Sequence, residues 1–224
     1  MAYPPLGADA ADVVLKIGQG VADLKAHPVT MIITDRRLAL HQSYEQAAAI
    51  VAEVRPDQLG QPTPCASYDV AALLDHLVGA GHRAVELGRG ETPTGYEFPH
   101  VELADAADQL RGAGKESAVV WADDARLTAE TTMPWGETYT GSTLVDMYLA
   151  ELATHAWDLA KATGQLDRLD EGLAVAALDG ARAMLKAEYR NMMEPGSPFG
   201  SEIEAPVDAT CSERLAAFMG RDPR

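Results

Sequence analysis

The sequence predicts an all-α protein, on three observations. Alanine supplies 39 of the 224 residues, and alanine is the strongest helix former because it loses no side-chain entropy on folding. Aromatic residues make up only 6%, thin for an all-β protein, whose strands favour them. Apolar residues recur at three- and four-residue spacing through several long segments, the pattern of helices that bury one face.

Taken in order, residues 1–34 form an N-terminal extension in which Ala8 to Ala26 suits a helix and residues 29–34 suit a strand. The first strong helix runs from Asp35 to Val54, with Leu38, Leu40, Tyr44, Ala47, Ala48, Val51 and Val54 on its apolar side, and Pro56 ends it. A Pro- and Gly-bearing loop follows. Ser67 or Asp69 can then cap a second helix reaching Gly88, whose Val70, Leu73, Leu74, Leu77, Val78 and Val85 make a broad buried stripe. A third helix covers Val101 to Asp124, with Gly112 and Gly114 as points where it can bend. Thr, Trp and Tyr around Pro134-Trp135-Gly136 predict a short hairpin. A fourth helix from Ser142 to Thr163 is closed by Gly164, and a fifth spans Asp170 to Arg190. Residues 191–208 carry three prolines and two glycines and read as an irregular wrap, before a short amphipathic turn from Ser212 to Met219. The expected organisation is an extension over 1–34, a bundle over 35–165, and a C-terminal helical extension over 166–224 packed on that bundle.

Composition narrows the function. The chain is 47% hydrophobic and 23% charged, enough to bury a core. Its formal net charge is −16, and no basic run offsets it, which argues against nucleic-acid backbones and anionic membranes as partners. Cys65 and Cys211 are too few for a disulfide framework, and no apolar stretch approaches the ~18–20 residues of a membrane span. The N-terminus lacks the basic and apolar regions of a secretory signal. The expectation is a soluble, cytoplasmic protein.

Chemistry concentrates on two helices. Glu151 and His155 are four residues apart in the fourth helix, so both project from one face, in the row Leu144, Tyr148, Glu151, His155, Asp158 and Ala162. A divalent cation would answer both groups amid apolar neighbours, whereas an exposed Glu–His pair would need no ligand. His76 lies in the apolar run of the second helix among Leu73, Leu77, Gly79 and Ala80. It is either a core histidine bonded to a neighbour or a third ligand facing the Glu151/His155 pair. Two imidazoles and one carboxylate would leave a metal with open positions, the arrangement of catalytic rather than structural sites. Asp158, one turn beyond His155, reads equally as a solvated helix residue or as the acceptor fixing the imidazole tautomer. Arg83, seven residues after His76, is a solvated side chain or an anchor for an anionic substrate or thiol. Tyr148 packs in the core or lines the pocket. Cys65, before the second helix, is a packing residue or a thiol activated by the helix N-terminus. His27, His41, His82 and His100 have no partner at ligand spacing. There is no His-Glu-x-x-His, no Gly-x-Ser-x-Gly and no phosphate-binding loop.

Two strings carry a resemblance. Residues 59–79, Leu-Gly-Gln-Pro-Thr-Pro-Cys-Ala-Ser-Tyr-Asp-Val-Ala-Ala-Leu-Leu-Asp-His-Leu-Val-Gly, resemble the second-helix signature of the mycothiol-dependent maleylpyruvate isomerase metal-binding domain family, part of the DinB/YfiT-like group. Residues 151–164, Glu-Leu-Ala-Thr-His-Ala-Trp-Asp-Leu-Ala-Lys-Ala-Thr-Gly, resemble its fourth-helix signature, and residues 214–223 resemble the tail of an uncharacterised branch. The resemblance implies a DinB-like four-helix bundle with a divalent metal, usually zinc, on the positions of His76, Glu151 and His155. It also implies use of a low-molecular-weight thiol, mycothiol or a similar one, whose sulfur binds at the metal. The chain departs from the isomerase after about residue 165, where it is too short and too Pro/Gly-interrupted to match that enzyme's separate C-terminal domain. The function expected is therefore a divalent-metal protein acting as a thiol-dependent transferase or isomerase on a small electrophile. A non-catalytic metal- or thiol-binding stress-response module is the competing expectation, and a metal-free buried polar network is a third. Pairing as a homodimer through an exposed helix face is compatible with any of them.

Overall fold

In the computed structural model the described residues are 35–93, 98–185, 190 and 200–224. The helix and strand expected within residues 1–34, and His27, lie outside them. The protein is mostly helical. Helix α1 spans Arg36–Val51, α2 Val70–Arg89, α3 Leu103–Val120, the short α4 Asp124–Thr128, α5 Gly141–Thr163, α6 Glu171–Met184 and α7 Cys211–Phe218. Strands β1, Glu130–Thr132, and β2, Thr138–Thr140, pair antiparallel with Thr131 opposite Tyr139. Their turn is completed by Gly136 at φ 94°, a left-handed conformation that glycine adopts without a Cβ clash.

Side chains start most helices. Asp35, Asp69, Asp123, Thr140, Asp170 and Thr210 each accept a backbone N–H from the first turn of the helix they precede, satisfying donors that have no intrahelical partner. Asp69, not Ser67, caps α2. That helix also runs past Gly88 to Arg89 and closes on Gly90 at φ 83°. Gly88 serves packing instead: a Cβ there would meet Trp121 at 3.0 Å and overlap Val120. The third helix is shorter than its apolar pattern suggests. It stops at Val120, Trp121 turns its indole N–H onto the Ala84 carbonyl at 3.1 Å, and Asp123 starts α4 separately. Neither glycine interrupts α3. Gly114 receives the Tyr44 side chain, 2.8 Å from where a Cβ would sit, and Gly112 faces open space.

The large helices α1, α2, α3 and α5 form a ring in which α1 and α2 each touch α3 and α5. Helices α1 and α2, consecutive in sequence, therefore lie across the diagonal. The buried Tyr44 of α1 spans that diagonal, its hydroxyl donating to the Gly81 carbonyl at 2.7 Å. The core between them is aliphatic: Leu40, Leu73, Leu77, Leu110, Leu144, Leu149 and Leu152 are almost wholly excluded from water, each contributing roughly 1.5–3 kcal/mol over an exposed position. Helix α6 packs on α5, and α7 packs on α6 and α5. Arg36 ties the outer helices together through the Ala176 carbonyl and Asp146, and Glu171 accepts from the Ser212 amide and hydroxyl at 3.0 and 2.7 Å. After α7 the chain returns along α5, where Lys161 donates to the Pro223 carbonyl at 2.6 Å. No helix among the described residues is long and apolar enough to cross a membrane.

Candidate metal centre

Because α2 and α5 are neighbours in the ring, His76 arrives opposite Glu151 and His155. His76 Nε2 lies 2.7 Å from Glu151 Oε1, and His155 Nε2 lies 3.4 Å from the same oxygen. The two imidazoles are edge to face, with ring centroids 4.7 Å apart. All three donor atoms fall within 4.8 Å of one another. Ligands about 2.0–2.1 Å from a tetrahedral zinc stand roughly 3.3 Å apart, so the 3.4 Å separation suits a metal's ligand set, while the 2.7 Å contact is a hydrogen bond that a bound ion would replace. The side chains of His76 and Glu151 each keep 12% exposure while His155 keeps 1%. What exposure the group keeps is therefore on the His76/Glu151 side.

The far side of His155 is held by charge. Its Nδ1–H donates to Asp158 Oδ2 at 2.9 Å, which leaves Nε2 directed at the convergence point. Asp158 is wholly buried, and Arg221 from the C-terminal tail answers it, with Nη2 at 3.1 Å and Nε at 3.3 Å from its carboxylate. Arg221 is itself 4% exposed and also donates to the Met219 carbonyl at 2.8 Å. Burial works against the His155 imidazolium, but the Glu151 charge and the hydrogen bonds the ring donates to both carboxylates outweigh it and push the pKa up to about 9. Burial likewise opposes the Glu151 carboxylate, yet the two imidazoles hold it well below the usual range. Both groups hold their charges in the metal-free arrangement: Glu151 is already anionic, and His155 would release its proton to a cation that bound there.

Aromatic rings complete the walls. Tyr68 stacks on His76 at 4.8 Å between centroids, and Phe98 meets His76 edge to face at 5.2 Å. Tyr148 is buried on the ligand face of α5. Burial pushes its hydroxyl pKa up while Arg83 pulls against it, so it remains protonated at neutral pH. Arg83 places its guanidinium 4.4 Å over the Phe98 ring. Cys65 is buried beside His155 and Asp158, with its sulfur within 4.8 Å of their donor atoms. Burial raises its thiol pKa, with Arg221 opposing and Asp158 adding to the rise. The other described histidines stand apart: His41 contacts the Gly114 carbonyl at 3.3 Å, His82 is exposed, and His100 pairs with Asp75 at 3.1 Å. The Nδ1 of His76 is buried with no hydrogen-bond partner among the described residues.

Sequence reasoning gave no role to Arg221, Tyr68 or Phe98. Arg221 sits in the tail string and Tyr68 in the second-helix string, so both were inside the matching segments. What was missing was a spacing rule, because neither shares a helix with the ligand group.

Residues 40–160 match the mycothiol maleylpyruvate isomerase N-terminal domain, a span that holds all four bundle helices except the first turn of α1 and the last residues of α5. The chain belongs to this family. Two proteins of Mycobacterium tuberculosis are similar along nearly their whole length, Uncharacterized protein MT0763 of strain CDC 1551 and Uncharacterized protein Rv0738 of strain H37Rv. Each is 36% identical over 192 residues, covering 84% of this chain and 98% of the relative. No solved structure matches. The family relates the domain to mycothiol and to metal binding, and the group His76, Glu151 and His155 is one that could hold a metal ion.

Proposed function

We propose that this protein binds one divalent metal, zinc, through His76, Glu151 and His155, and that it is a thiol-dependent transferase or isomerase acting on a small electrophile with mycothiol or a similar thiol. The observation that carries this reading is the convergence of three donor atoms from α2 and α5, with 2.7 and 3.4 Å between them, in a group that keeps some exposure at His76 and Glu151. Two neutral imidazoles and one carboxylate suit zinc, and three protein ligands leave room for an exchangeable one.

The chain's own residues do the rest. Asp158 accepts the Nδ1–H of His155 and fixes its tautomer, while the Arg221 guanidinium supplies its counter-charge in a buried setting. Tyr68 and Phe98 wall the open side and exclude bulk water from His76. Tyr148, held protonated, keeps a hydroxyl hydrogen to donate toward anything bound at the ligand face, and Arg83 adds positive charge beside it. A zinc ion bound here would supply a positive charge that favours thiolate over thiol, giving a nucleophile near neutral pH.

Elemental analysis of untagged protein is the first test. The expected result is about one zinc per chain in the native protein and loss of metal in His76→Ala and in His155→Ala. Metal-free native protein that takes up no zinc on titration would refute the site. Acceleration of thiol addition across a panel of electrophiles then tests the enzyme, and a zinc-loaded protein inert toward the panel would favour a binding module.

A further inference from the structure

The two imidazoles of the centre are held in different ways. His155 gives its Nδ1–H to Asp158 at 2.9 Å, and Arg221 backs that carboxylate. The Nδ1 of His76 is buried and finds no hydrogen-bond partner among the described residues. A ligating histidine ordinarily has its second nitrogen fixed by an acceptor. The ring torsion of histidine is broad and roughly two-fold, and a half-turn about Cβ–Cγ would put a carbon where Nε2 of His76 now meets Glu151.

Two aromatic rings confine that torsion. Tyr68 stacks on His76 with centroids 4.8 Å apart and planes inclined by 28°, and Phe98 stands nearly perpendicular to it, at 5.2 Å and 79°. Both distances lie within the ~4.5–7 Å of favourable aromatic pairs. Each ring comes from a segment that is itself pinned. The Thr63 hydroxyl donates to the Tyr68 carbonyl at 2.7 Å, and Pro62 forms a bridge with Asp69. On the other side Asp75 accepts the Val101 amide at 2.8 Å, and Gly79 leaves bare backbone where a Cβ would overlap the Phe98 ring. The Arg83 guanidinium covers Phe98, 4.4 Å from its centroid.

We propose that Tyr68 and Phe98 are positioning residues that aim the His76 imidazole at the metal, doing by packing what Asp158 does for His155 by hydrogen bonding. Gly79, three residues after His76, shares the role because its missing side chain lets Phe98 reach the ring. The proposal rests on the metal reading for its purpose, but the confinement of His76 itself needs no metal.

The test is zinc affinity of the full chain by chelator competition, read together with NMR of the His76 ring in zinc-loaded and metal-free protein. Tyr68→Ala and Phe98→Ala should each weaken zinc about tenfold or more, while Tyr68→Phe, which keeps the ring, stays near the native affinity. Gly79→Ala should act like Phe98→Ala: its methyl displaces the ring while alanine favours the helix, so the loss does not come from a weakened α2. In metal-free native protein His76 should show one ordered set of ring signals, and Tyr68→Ala, Phe98→Ala and Gly79→Ala should show exchange between two ring orientations. Native zinc affinity in Tyr68→Ala and Phe98→Ala overturns the proposal. So does an equal loss in Tyr68→Phe, or a His76 ring signal that none of the variants changes. Native protein that takes up no zinc removes the metal reading, and ring exchange confined to the three variants then still sustains the confinement of His76 by Tyr68 and Phe98.

Discussion

Asp158 is the residue on which the centre's organisation turns, since it joins a candidate ligand to the C-terminal tail. Its carboxylate takes the His155 Nδ1–H on one oxygen and the Arg221 guanidinium on both. Asp158→Asn keeps the shape and removes the charge, leaving Arg221 buried without a counter-ion. A broken buried pair of this kind costs about 3–5 kcal/mol, and a lost partner behind a ligating histidine lowers metal affinity about 10–100-fold. Chelator competition on the folded variant measures the second effect and urea denaturation the first. Unchanged zinc affinity would mean that Asp158 does not orient His155. Cys65 gives a contrasting expectation. Its thiol is buried and its pKa raised, so Cys65→Ala should leave zinc stoichiometry intact, as elemental analysis would register. Loss of zinc would make the sulfur a ligand.

At the scale of elements, helix α2 positions His76 two turns in from a single cap. Asp69 accepts the Ala72 amide at 2.9 Å, and Asp69→Ala should cost about 1 kcal/mol in denaturant unfolding while metal content stays constant. A fall in metal content with full folding would show that the cap sets the register of His76. Helix α5 begins at a tight approach, because a Cβ on Gly141 would overlap the Arg126 backbone carbonyl. Gly141→Ala must shift α4 or the hairpin, and overpacking of this kind costs about 1–3 kcal/mol. A Tm equal to that of the native protein would refute the contact. Much of this level was legible in the sequence. Gly164 after α5, Asp170 before α6 and the Pro134-Trp135-Gly136 turn fall where helix and hairpin signals place them. Gly88 misled for a physical reason: a glycine near a helix end is read as a cap, but here it makes room for Val120 and Trp121 from another helix. The split between α3 and α4 was hidden in the same way, since Trp121 leaves the helix to bond Ala84 on α2.

For the whole molecule, the charge state of the centre couples metal binding to stability. The His155 pKa is raised from 6.5 to about 9 in metal-free protein, above its unfolded value. Its contribution is therefore complete below about pH 6.5 and is lost as pH climbs through about 9. Metal-stripped protein should lose Tm between pH 6.5 and 9. Zinc-loaded protein should instead gain Tm from pH 5 to 7, because the metal competes with the proton for the same imidazole. Thermal scans of both forms decide this, and parallel curves would contradict a metal on His155. The acidic surface, with a formal net charge of −16, adds self-repulsion that salt should relieve in both forms alike.

By itself the sequence determined the main helices, the Gly164 end of α5, and the residue types of the candidate centre, because these depend on propensity and spacing within one segment. The four-residue step from Glu151 to His155 already put two donors on one face, and the helix geometry kept that promise. Only the tertiary structure decided that α2 lies beside α5 while α1 stands across the diagonal, and so that His76 reaches the pair at all. It alone brought Arg221 to Asp158, 63 residues apart in the chain, and Phe98 between His76 and Arg83. Contacts of that kind are set by which apolar faces bury each other, and no single segment carries that information.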